Sequence, residues 1–360
     1  MKVMTYTIHK WEDIKDNFLE STLLIGNGAS VALDSNFSYT SLKEYAEENE
    51  ELDEDILKLF SEFDTNDFEH ILRLVWHASI INSKLKIQDE RTQKAYENIR
   101  DALIQSVRAI HSDYDQINGS LPNLYAFTKN FKTIISLNYD LILYWIMMHG
   151  NDKRDGHRFK DCFISNTFDD DWSKFRTPIG GEKDITLVFY PHGNLSLARN
   201  IYDEEYKISA NGSNLLESIL STWAGGKAVP LFISEGTAEK KLKSILSSGY
   251  LQTVYDEVLP SIFSTGSSGN NLVIYGWALG EHDMHILKRI LCGRNHGSLT
   301  NNSNNNIAVS LYKPTQDDCF RIEQTIKNTL DVSELKLQLY FFDSASSGCW
   351  NNPSTPPENP

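Results

Sequence analysis

Cysteine is scarce in this chain. The four residues Cys162, Cys292, Cys319 and Cys349 are scattered, with no C-x-x-C pair among them. That spacing speaks against a zinc ribbon or a disulfide framework, and no metal site is expected. Long apolar runs are missing too: nothing approaches membrane-spanning length, and Met1 to Trp11 is polar without a signal-peptide core. The expectation is a soluble, cytoplasmic protein with no membrane partner. Positive charge is outweighed, with 34 Lys and Arg against 49 Asp and Glu and a formal charge of −15. Such a balance makes direct nucleic-acid binding a poor reading. Repeats of solenoid period are absent.

What the chain does have is bulk and aromaticity. Its 360 residues are 40% hydrophobic and include 17 Phe, 16 Tyr and 7 Trp, which excludes disorder and permits a large core. Short apolar runs predict strands at 22–26, 133–137, 185–190, 229–233, 271–275, 307–312 and 335–341. Continuous apolar strands alternating with helices indicate a parallel sheet covered on both faces. The fold class is therefore α/β, doubly wound and mostly parallel, hence Rossmann-like. Between the first two strands, residues 42–128 read as a large helical insertion, with Asn66 or Asp67 as an N-cap. Residues 150–171 and 299–306 read as loops. One domain is expected over 1–345, and the Ser-, Pro- and Asn-rich stretch 346–360 as a flexible tail.

In open α/β sheets, ligands bind beyond the carboxyl ends of the strands. The specific polar residues of this chain fall there. The first strand runs into Gly26-Asn27-Gly28-Ala29-Ser30, a turn whose missing Cβ atoms allow phosphate oxygens near the amides. The next strands end in Asn138-Tyr139-Asp140, Pro191-His192-Gly193-Asn194, Ser234-Glu235-Gly236-Thr237 and Gly276-Trp277-Ala278. Each has a plainer reading: Ser30, Asn138, Asp140, Ser234 and Thr237 are good helix caps, His192 fits a strand-end core position, and Trp277 reads equally as core aromatic or adenine lid. His70 and His77 share a predicted helix face but lack a third ligand. Asp283 reads as a cap beside His282 and His285, and Lys240 and Lys241 as a solvated helix face.

The motif order Gly26–Ser30, Asn138–Asp140, His192-Gly193 and Gly276–Leu279 resembles that of sirtuin-type NAD-binding domains. It is similar above all to divergent bacterial sirtuin-like proteins, in which Leu-Leu-Ile-Gly-Asn-Gly precedes a Phe-x-Tyr-x-Ser-Leu segment, here Phe37–Leu42. The resemblance covers roughly residues 20 to 345. It implies that Gly26, Gly28 and Ser30 hold the pyrophosphate of NAD, with Asn27 between the glycines. Asn138 and Asp140 would take the nicotinamide-ribose and carboxamide end, and His192 would be the general base or a ribose-hydroxyl partner. Ser234, Gly276 and Trp277 would complete the binding set, Gly276 on the adenosine side.

Departures from that family narrow the expectation. No four-cysteine module can be built, Asn27 stands where the deacetylases have Ala, and the helical insertion follows the glycine turn. Water, or another small nucleophile, is then the more natural acceptor of the ADP-ribosyl group. The implied activity is NAD hydrolysis to nicotinamide and ADP-ribose, with NAD as substrate, a histidine titrating near neutrality as base, and no metal. The resemblance further implies a regulated effector of bacterial anti-phage defence, a homo-oligomer, and a HerA-type ATPase as partner. The alternative is a non-catalytic NAD or ADP-ribose sensor or scaffold. A dehydrogenase fits poorly, because no acidic residue closes a second strand about 20 residues past the glycine turn.

Overall fold

The computed structural model describes residues 5–38, 41–210, 214–263, 271–292, 305–329 and 337–354. Tyr39 and Thr40 of the Phe37–Leu42 segment, and 299–304 of the expected Asn-rich turn, lie outside them. In chain order the strands are β1 (Ile8–His9), β2 (Thr22–Ile25), β3 (Thr133–Ser136), β4 (His157–Lys160), β5 (Phe163–Ile164), β6 (Thr167–Phe168), β7 (Asp184–Phe189), β8 (Gly193–Asn200), β9 (Glu205–Lys207), β10 (Ala228–Phe232), β11 (Asn271–Tyr275), β12 (Asn305–Leu311) and β13 (Leu337–Asp343).

Burial explains how these strands assemble. Every residue of β2 and β3 is buried, as are the last four of β7 and of β11. Strands apolar on both faces need helices on both faces, the condition of a parallel sheet. They form an eight-stranded sheet in the order β1-β13-β12-β11-β2-β3-β7-β4, and each neighbouring pair is parallel. From β2 the chain steps outward to β3 and β7, then returns to β11 on the other side and steps outward through β12 and β13. That is a Rossmann-like doubly wound order, and it reverses direction between β2 and β11.

The parallel sheet does not take every expected strand. β10 pairs antiparallel with β8 at the edge of a second sheet, ordered β10-β8-β9-β6-β5. Pro230 lies within β10; lacking an N–H, proline suits an edge strand and not the interior of a parallel sheet. The expected loop at 150–171 contains β4, β5 and β6.

Between β2 and β3 stand the helices Leu42–Glu48, Glu54–Glu62, Phe68–Lys84, Arg91–Ile110, Tyr114–Asn118 and Leu121–Thr128. Asp67 caps the third of these, accepting from the backbone N–H groups of Glu69 and His70. Among the described residues no helix is long and apolar enough to cross a membrane.

The end of the chain departs from the expectation of a flexible tail. Cys349 and Trp350 are buried, and the Trp350 indole N–H donates to the Ala29 carbonyl at 2.9 Å. Asn351 Nδ2 donates to Ala32 O at 3.1 Å. Residues 344–354 therefore strap the short helix Gly28–Val31 from behind, because an indole with a satisfied N–H gains more from burial than a polar tail gains from freedom. Residues 355–360 lie outside the described set.

Candidate functional site

At the reversal between β2 and β11 the glycine turn does not stand open. Gly28 N donates to Gly276 O at 2.7 Å and Gly26 N to Tyr275 O at 2.9 Å, while Ala29 N and Ser30 N are bonded within the turn. A Cβ on Gly26 would sit 2.5 Å from Trp277 Cβ, and one on Gly276, whose φ is +68°, would sit 2.3 Å from Ala29 N. The glycines here let two loops touch, and their amide donors are used inside the chain.

Beside this contact lies a cavity of about 200 Å³ bordered by Gly26, Asn27, Asn138, Asp140, His192 and Trp277, together with Ser234, Glu235, Lys241 and Asp283. Of the expected binding residues, Gly28, Ser30 and Gly276 do not border it; they stand behind the residues that do. Ser30 is buried and bridges two members of the site: its Oγ donates to Asp140 Oδ2 at 2.5 Å and accepts from Asn138 Nδ2 at 2.9 Å.

Asn138 is held by its amide nitrogen, which also donates to Gly26 O at 3.2 Å. Both Nδ2 protons are thereby spent, and Oδ1 has no protein donor among the described residues. Asp140 Oδ1 accepts from Ile142 N at 2.9 Å, and Asn194 Nδ2 donates to the Asp140 carbonyl at 2.6 Å. Burial raises the Asp140 pKa against the pull of His111 and the Ser30 hydroxyl. His111 Nε2 accepts from Leu141 N at 3.0 Å, so Nδ1 carries the proton and meets Ser112 O at 2.8 Å. Asp140 is thus a scaffold for the Asn138 loop as well as a cavity residue.

His192 is buried and differs from the sequence expectation in its chemistry. Burial first, then the Lys241 charge, pushes its pKa down to about 3, against the opposing pull of Asp283. The ring is therefore neutral throughout the physiological range and does not titrate near neutrality. Its Nε2 lies 3.3 Å from His285 Nε2 and 3.7 Å from Asp283 Oδ1. Asp283 is paired to Lys241 at 2.7 Å; burial works to raise its pKa, but His192 and Lys241 outweigh it and hold it below the usual value. Burial likewise brings His285 down to about 4.

This cluster corrects the reading of Lys241 as part of a solvated face. Lys241 is buried, while Lys240 faces outward and pairs with Asp64. Asp283 spends Oδ1 on Lys241. His282 is exposed.

Beyond β10, Ser234 Oγ donates to Glu69 Oε2 at 3.3 Å. Glu235 is held by the Ser41 side chain and the backbone of Leu42 and Lys43, yet burial pushes its pKa up to about 7. Sequence reasoning missed Glu235, Lys241 and Asp283 as cavity groups, and His285 as the neighbour of His192. The available signal was a titratable residue at or just past a strand end, and it was outweighed by cap and surface readings. His70 and His77 remain on the helix Phe68–Lys84, where His77 stacks on Trp76 with centroids 5.7 Å apart. Among the described residues no cluster is placed to hold a metal ion.

A family model described as a domain of unknown function, DUF4917, matches residues 23–350. The chain belongs to this DUF4917 family. The match runs from within β2 to Trp350, so it takes in β3 through β13, the second sheet, the cavity and the first part of the C-terminal strap, to its buried indole. A search of curated proteins found no match.

Proposed function

We propose that the cavity takes the nicotinamide-ribose end of NAD and that the chain hydrolyses the bond between nicotinamide and ribose. What supports this reading above all is the meeting of Asn138 and His192, 54 residues apart in sequence (192 − 138), at one cavity beside the β2–β11 reversal. The motif order shared with sirtuin-like domains adds to it. At about 200 Å³ the cavity is smaller than the roughly 300–1,000 Å³ typical of whole-ligand pockets. It suits the reacting end of the dinucleotide, with the adenosine end outside.

In this reading the N1–C1′ bond breaks and its electron pair returns to the pyridinium ring, releasing neutral nicotinamide. Positive charge builds on the ribose carbon, and a water oxygen bonds to C1′. Asn138 Oδ1, which has no protein donor among the described residues, accepts from that water or from a ribose hydroxyl and orients it. The water's proton passes to His192 Nε2. Asp283, 3.7 Å away, offsets the imidazolium that forms. A base with so depressed a pKa accepts a proton only while the reaction supplies the driving force, which holds turnover low in the resting chain and leaves room for regulation by self-association or an ATPase partner.

The depressed His192 also favours the second reading, a sensor that binds NAD or ADP-ribose without cleaving it. Purified chain mixed with NAD, with and without a candidate partner, separates the two by free nicotinamide. Hydrolysis predicts release that falls by a factor of about 100 or more in Asn138→Ala and in His192→Ala. Retained turnover in either variant removes that residue's role. Tight NAD binding without release under every condition supports the sensor.

A further inference from the structure

On the other side of β10 lies a second cavity, of about 220 Å³, bordered by Asp67, Glu69, Arg73, Arg199 and Lys243 together with the edge residues Val229 to Ile233. Its polar groups share an unusual condition: they have donors to give and too few acceptors. Arg73, on the helix Phe68–Lys84, makes no hydrogen bond or ion pair among the described residues. Arg199 is only 4% exposed; its Nη2 is paired to Glu205 at 2.8 Å and donates to Ser247 O at 3.3 Å, and its Nη1 lies 3.8 Å from Asp203, but its Nε is buried without an acceptor. Glu69 is 7% exposed, and its Oε1 is also buried without a partner.

Charge balance sharpens the point. Burial first, then the hydrogen bond and charge of the neighbouring Asp67 carboxylate, raises the Glu69 pKa well above its usual value. Asp67 spends Oδ1 on the backbone N–H groups of Glu69 and His70. Glu205 is already shared between Arg199 and Tyr250 N, the latter at 2.8 Å. Lys243 is exposed and pairs with Glu239 at 3.4 Å. Burial and the nearby Arg199 charge lower the Arg73 pKa against the pull of Asp203, Asp67 and Glu205. Two guanidinium groups meet at a partly dry cavity, where the Arg73 fork and the Arg199 Nε–H have no acceptor among the described residues.

We propose that this second cavity binds a phosphoryl oxyanion, with the Arg73 fork as its principal contact and the Arg199 Nε–H as a second donor. The tetrahedral oxygens of a phosphate accept from several convergent donors at once, and the planar guanidinium matches two of them. The site is independent of the dinucleotide reading. Glu69 nonetheless joins the two cavities, since its Oε2 holds Ser234 of the first.

Calorimetric titration of the full chain with inorganic phosphate at constant ionic strength tests the assignment. Wild-type protein is expected to bind one phosphate saturably, in preference to acetate. Arg73→Met is expected to weaken that binding tenfold or more, about the effect of losing one charge-assisted hydrogen bond. Arg73→Lys, which keeps the charge and loses the fork, is expected to weaken it by less. No saturable phosphate binding by the wild type would overturn the proposal. So would acetate binding as tightly as phosphate, or affinity unchanged in either Arg73 variant.

Discussion

A buried histidine accepts protons only as readily as its neighbours permit, and His192 shows how far from 6.5 that can lie. With His192 near 3 and His285 near 4, the unfolded chain binds protons between about pH 6.5 and 4 that the folded chain refuses. Stability therefore rises with pH across that window and is lost on acidification. His192→Asn should flatten this acid limb in urea unfolding between pH 4 and 6.5; an unchanged slope would mean the ring is not held neutral. Glu235 works in the opposite sense. Its pKa near 7 keeps a proton on the folded chain that the unfolded chain releases above about 4.5, so its ionisation costs stability as pH rises through that range. Glu235→Gln should remove that loss and raise the urea midpoint at pH 8 relative to wild type. Asn138 and His192 were legible as strand-end polar residues. Lys241 was not, because the helix Ala238–Leu246 presents two adjacent lysines and only packing decides that Lys241 turns inward while Lys240 reaches Asp64.

Among the elements, the glycine turn was visible as a motif but its use was not. The same residues that suit a phosphate cradle here allow the β2 and β11 loops to touch, a contact between segments some 250 residues apart, as 276 − 26 shows. No local pattern distinguishes the two. Gly276→Ala must place a Cβ against Ala29 N at positive φ, and a loss of roughly 1–3 kcal/mol in unfolding free energy is expected. A neutral effect in chemical denaturation would show that the loops are not so closely apposed. The C-terminal strap was misread because its composition is that of a disordered tail, whereas one buried indole decides its fate. Trp350→Ala is expected to cost roughly 3–5 kcal/mol, measured in the same way. Pro230 carried a usable signal: within an apolar run it pointed to an edge strand, which is where β10 lies.

For the whole molecule, the doubly wound sheet was legible because buried parallel strands leave apolar runs, as β2, β3, β7, β11 and β12 do, while β13 is half-buried and broken by Gln338. The antiparallel sheet was not, since β5, β6 and β9 span only two or three residues in polar sequence and owe their pairing to tertiary context. The parallel order sets the β2–β11 reversal, and the strand ends around it bring Asn27, Asn138, His192 and Trp277 to one cavity. The central claim is that this cavity is where the nicotinamide end of NAD lies. A crystal structure of the Asn138→Ala chain soaked with NAD, slowed enough to retain the intact dinucleotide, tests it most directly. The account predicts nicotinamide and its ribose between residue 138 and His192. Nucleotide density elsewhere, with this cavity holding only water, would contradict it.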